Sequence, residues 1–102
     1  MQLISKLEDL IDDEISDVKK YAKMATELKK SHPALAQVLY NISAQEEGHQ
    51  AAIHAEVVKI IEAYRKETGT PPPAMMAVYD YVHKKHIEKL ADARRYQDMY
   101  KN

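Results

Sequence analysis

Apolar residues recur along this chain at steps of three and four, and no stretch alternates with the period of two that a half-buried strand requires. A first run reads Ile4, Leu7, Ile11, Glu14, Val18, Tyr21, Ala25, Leu28, the stripe of a helix that packs one face against its neighbours. A second reads Leu35, Leu39, Ile42, Glu46, His49, Ile53, then Glu56 or Val57, then Ile60. Two segments interrupt the pattern. In "KKSHPAL" at 29–35, Ser31 or His32 can cap a helix and Pro33 is tolerated in a first helical turn. In "KETGTPPPAM" at 66–75, Gly69 fits just past a helix end, and Pro71 to Pro73 cannot continue one. The pattern therefore predicts helices over about 3–30, 33–67 and 73–101, with Ser5-x-x-Glu8 read as a capping box at the first start. The expected fold class is all-α: a long antiparallel helical hairpin plus a third helix, in one domain over 1–102.

Composition narrows the function more than the fold. A chain of 102 residues builds a small core and at this size often leans on a partner or a metal. With 15 basic and 16 acidic side chains, nothing in the charge suggests a nucleic-acid or membrane surface. The absence of cysteine excludes disulfides, thiolate zinc sites and thiol catalysis. No apolar run is long enough for a membrane span or a signal peptide, so a cytoplasmic protein is expected.

Three ionisable residues stand in the two stripes: Glu14 in the first, Glu46 and His49 in the second. A carboxylate buried alone costs several kcal/mol or takes up a proton, so the three need a common explanation. The turn between the first two helices centres near residue 32. At about 1.5 Å rise per residue, Glu14, Glu46 and His49 lie ~27, ~21 and ~26 Å from it, so an antiparallel hairpin brings them to one level. Glu-x-x-His places a carboxylate and an imidazole one turn apart on one face, and a Glu from the neighbouring helix adds an oxygen. Oxygen and nitrogen donors without sulfur suit iron, manganese or zinc. The set is half of the Glu, Glu, Glu-x-x-His, Glu-x-x-His constellation of di-metal four-helix bundles.

The stretches "DDEISDVKKYAKMA" and "AQEEGHQAAIH" resemble the first half of a ferritin-like or rubrerythrin-like domain, over about residues 7–55. By position, the resemblance implies Glu14, Glu46 and His49 as metal ligands, iron as the first choice of metal, and a ferroxidase-type oxidation of ferrous iron by dioxygen or peroxide as the activity. A full-length member carries a second Glu and a second Glu-x-x-His. The third helix here lacks them, and residues 93–96, level with Glu46 and His49, read Ala93, Arg94, Arg95, Tyr96. The expected completion is a homodimer or higher oligomer, as in the half-length encapsulated ferritins. The ending "YQDMYKN" carries no encapsulin-docking tail, so an encapsulin shell is not expected.

Other residues are accessory candidates. Tyr21 lies two turns from Glu14 on the same stripe. His54 and Glu56 lie beside the second stripe, and His83 and His86 form His-x-x-His on the third helix. The acidic run Glu8, Asp9, Asp12, Asp13, Glu14, Asp17 reads as a solvated face or a funnel for cations. Glu47 and Gln50 read as polar surface, and Gly48 either admits a close partner helix or marks a bulge. The competing functional reading is a non-enzymatic interaction module in which Glu14, Glu46 and His49 form a polar layer that sets packing.

Overall fold

The structure is a computed structural model that describes residues 2–102. Three helices account for nearly all of it: α1 (Gln2–Leu28), α2 (Pro33–Thr68) and α3 (Pro73–Lys101), with no strand among the described residues. The predicted breaks hold. Pro33 opens α2, where its missing N–H is not needed, and His32 caps it without a side-chain hydrogen bond. Gly69 ends α2 at φ 85°, a left-handed angle that suits glycine, and its N–H donates to the Arg65 carbonyl at 3.0 Å. The capping-box expectation fails: α1 already begins at Gln2, so Ser5 and Glu8 lie inside the helix, and Glu8 is buried instead of closing a cap.

The helices run up, down and up in a rod 56 × 19 × 18 Å. α1 lies against both α2 and α3, whereas the α2 and α3 backbones stay apart and meet through long side chains. Tyr40 and Tyr100 stack at 4.8 Å, Arg94 pairs with Glu47 at 2.8 Å, and His83 stacks on His54 at 4.8 Å. Arg94 does fall level with Glu46 and Glu47, as the residue count predicts.

Each expected stripe is rotated from its true core by part of a turn. On α1 the buried positions are Ile4, Glu8, Ile11, Ile15, Val18, Ala22 and Ala25. On α2 they are Ala36, Leu39, Ser43, Gln50, Val57 and Ile61. Gln50, expected at the surface, is therefore in the core, and Glu46 and His49 stand at its edge. Small residues occupy the contact line because they let helix axes approach, and Ser43 is tolerated there because its hydroxyl is satisfied. Its Oγ donates to the Val18 carbonyl at 2.7 Å and accepts from Gln97 Nε2 at 3.0 Å.

The larger apolar side chains fall beside that line. On α1, Leu3, Leu7, Leu10, Glu14, Asp17, Tyr21, Met24 and Leu28 step by four and three along one face, with Leu3 and Leu10 each half exposed. α3 packs on the opposite side of α1, through Asp12, Ser16, Lys19 and Thr26. On α2, Leu35, Val38, Ile42, Ile53 and Ile60 line the same side of the hairpin. A half-exposed apolar stripe thus covers the hairpin face turned away from α3.

Candidate metal centre

Glu14, Glu46 and His49 meet on that outward face, halfway along the hairpin. Each offers one ligand atom, and all three atoms lie within 4.8 Å of one another. His49 Nδ1 stands 3.6 Å from Glu14 Oε2 and 3.6 Å from Glu46 Oε1, too long for hydrogen bonds and suited to donors arranged around a common point. Both carboxylates are mostly covered, while the imidazole is open to solvent with its side chain 61% exposed. Helix geometry accounts for the arrangement: the three-residue step from Glu46 to His49 keeps them on one face of α2, and the short turn at 29–32 brings Glu14 opposite.

Two carboxylates this close repel. The Glu46 carboxyl is raised above its ordinary 4.5, first by the hydrogen bond a proton allows it to make with Glu14, then by burial and by the Glu14 charge, with His49 acting against these. Glu14 Oε2 is buried without a hydrogen-bond partner. An orphaned carboxylate oxygen, a carboxyl pressed toward holding a proton and a convergent imidazole fit a divalent cation, which would displace the proton and satisfy the oxygen.

The accessory candidates do not join this group. Glu56 is exposed and bonds Lys59 at 3.1 Å. Tyr21 is half buried on the same α1 stripe, with Lys20 over its ring at 5.7 Å. His54, His83 and His86 gather on the other side of α1, where Tyr79, His83 and His54 form a stack. There His86 Nδ1 approaches Glu8 Oε2 at 3.2 Å and its Nε2 approaches Asp12 Oδ1 at 3.8 Å; Asp12 also holds Lys89 at 2.9 Å. Burial is the largest influence on both members of the inner pair, raising Glu8 and lowering His86. The acidic run is therefore not one solvated face. Glu8 goes inward to His86, Asp12 to Lys89 and Glu14 to His49, and the funnel expectation loses its first member.

The Glu8–His86 pair escaped sequence reasoning because its members are far apart in the chain. A signal was present: His86 stands on the three-and-four stripe Tyr79, Val82, His86, Leu90, Ala93, Gln97, Tyr100. Comparison of the chain with known protein families, with curated proteins and with solved structures finds no match in any of the three. No helix among the described residues is long and apolar enough to cross a membrane.

Proposed function

We propose that this chain is a ferritin-like metal-binding protein whose Glu14, Glu46 and His49 form half of a carboxylate–histidine di-metal centre, completed by a second copy of the chain. The observation that carries the reading is the convergence of three donor atoms within 4.8 Å, one of them an orphaned buried carboxylate oxygen. Three protein donors leave a divalent iron, manganese or zinc under-coordinated. The half-exposed apolar stripe running through the site supports a two-fold partner: leucines and valines on both sides of the site are what an isologous interface buries. Two hairpins face to face would gather four Glu and two His, the full donor set of the bundle di-metal proteins.

In this arrangement Glu14 and Glu46 would hold and neutralise the cation, which would compete with any proton on Glu46, and His49 would complete the set. When bound, an iron or manganese pair of this kind supplies oxidation of ferrous iron by dioxygen or peroxide; that part rests on the resemblance to ferritin-like sequences.

The test is metal content per chain on size-separated protein after anaerobic loading with ferrous iron. The expected result is about one iron per chain, found only in a dimer or larger species and lost with Glu46→Ala. Metal-free protein with an unchanged oligomer would leave the three residues as a polar layer and end the enzyme reading.

A further inference from the structure

The other end of the rod carries a second feature, independent of the metal centre. Near the Pro71–Pro73 turn, α1, the last turns of α2 and the first half of α3 line a cavity of about 510 Å³ that opens to solvent. That volume lies within the range of roughly 300–1,000 Å³ typical of small-molecule sites. Its walls are mostly apolar: Ile4, Ile61, Met75, Met76 and Val82, together with the rings of Tyr64, Tyr79 and Tyr81. Its polar lining comes from Ser5, Glu8, Asp9 and Asp12 on α1 and from Lys85 and His86 on α3.

Glu8 is the informative residue. Its side chain is nine-tenths buried, one oxygen faces His86, and Oε1 has no hydrogen-bond partner. A buried carboxylate with an acceptor left without a donor is costly, so its presence beside an apolar cavity favours a cationic neighbour that the chain does not provide. Three carboxylates line the cavity against one lysine, which sets the sign of the missing group. Tyrosine faces attract cations as well.

We infer that this cavity binds an amphipathic organic amine, with its apolar body among Ile4, Ile61, Met75 and Val82 and its protonated nitrogen directed to the carboxylates of Glu8, Asp9 and Asp12 and to the tyrosine rings. An ammonium there offsets the negative charge of the three carboxylates that line the cavity, including the buried Glu8. A ligand carboxylate meets Glu8, Asp9 and Asp12 and is repelled. A neutral alcohol supplies the donor without the charge and ranks between them.

The experiment compares three probes of one shape: phenethylamine, 2-phenylethanol and 3-phenylpropionate. Each is titrated at neutral pH into the full-length protein, with binding read from the NMR shifts of Tyr79, Tyr81 and His86. Saturable binding in the order amine, alcohol, carboxylate is expected, with the amine tighter than the carboxylate by at least about tenfold. Glu8→Gln should remove most of that preference while leaving iron loading at Glu14, Glu46 and His49 unchanged. Val82→Trp, which puts an indole into the apolar part of the cavity where the ligand body would lie, should abolish binding of all three, and remains informative if Glu8→Gln does not fold. No saturable shift with the amine, equal affinity for amine and carboxylate, or amine binding that survives Val82→Trp would each overturn the inference. None of these outcomes touches the metal reading, whose readout is iron per chain.

Discussion

Two carboxylate–imidazole groups share α1, about 9 Å apart along the helix and about 120° apart around it. They use the same residue types and reach opposite results. In the outer group, a single nitrogen of His49 faces both carboxylates, at 3.6 Å each, and the ring stays in solvent. In the inner group, His86 turns one nitrogen to Glu8 and the other to Asp12, so its partners lie on opposite sides of the ring. Donors that converge can share a cation, whereas donors separated by an imidazole cannot. The inner pair is also nine-tenths buried, which makes its partnership a packing feature and gives the neighbouring cavity its polarity. Burial and the direction of the ring, more than residue identity, separate a candidate ligand set from a packing pair.

The largest effects should break this comparison at its two centres. Glu46→Ala or Glu14→Ala should weaken ferrous iron binding by more than about 100-fold, exceeding what loss of a residue that only orients a ligand produces, as read by anaerobic titration. Metal binding by Glu8→Ala should match the parent wherever the variant is folded. Stability should respond in the reverse sense. His86→Ala leaves Glu8 buried without its partner and should cost about 3 kcal/mol or more, a fall in Tm of at least roughly 12 °C for a domain of this size, while Glu8→Ala, which leaves His86 facing Asp12, should cost less. His49→Ala in metal-free protein, with an exposed side chain, should change Tm by only a few degrees. A metal-free Tm that falls as far for His49→Ala as for His86→Ala would erase the distinction between exposed and buried groups.

Oligomer formation is the next effect in size. Leu10→Lys combined with Val38→Lys places two charges on the outward stripe, at positions already half exposed in the single chain. Helix content and monomer Tm should stay close to the parent, while the iron-loaded dimer is lost on size separation. If the double variant still loads iron as a dimer, the partner docks elsewhere and the two-fold completion at Glu14, Glu46 and His49 is wrong.

A pH experiment sharpens the inner half of the comparison. Burial raises Glu8 above 4.5, so between 4.5 and its folded value the folded state holds more protons than the unfolded state, and this group makes stability fall as pH rises. Burial lowers His86 below 6.5, so between its folded value and 6.5 the unfolded state holds more protons, and this group makes stability rise as pH rises. The two slopes oppose each other in the parent. Glu8→Gln mimics the protonated acid and removes only the falling part. Relative to the parent, its stability in urea should therefore improve as pH increases above 4.5. A difference that stays flat from pH 4 to 8 would mean that Glu8 titrates like an unfolded glutamate.

Much of the fold was legible in the sequence because its punctuation is covalent. Pro33, Gly69 and Pro71 to Pro73 restrict the backbone wherever they stand, and all three helices begin and end within about two residues of expectation. The convergence of Glu14, Glu46 and His49 was legible for the same reason, since rise per residue and a short turn determine level. The face was not. Hydrophobic period reports where large apolar side chains are, and here they divide between the core and an outward stripe, with Leu7, Glu14, Tyr21 and Leu28 on the border. Ser43 and Gln50 take inner positions that a hydrophobicity count assigns to the surface. Glu8 shows the limit of motif reading, because Ser-x-x-Glu occurs inside helices as readily as at their starts.

Gly48 tests which side of α2 is open, and its effect is the smallest. The helix runs through it without a bulge, it is exposed, and a Cβ built there meets nothing within 4 Å. It lies one residue, about 100° of turn, from His49 and on the back of α2. Gly48→Ala should therefore stabilise the metal-free chain by up to about 1 kcal/mol through helix propensity alone. A partner seated on the outward stripe does not cover this position, so the same gain should persist in the iron-loaded dimer. Urea unfolding of both forms measures it. A gain in the metal-free chain that reverses on loading would show a partner helix lying against the back of α2, and the outward stripe would then be the wrong face.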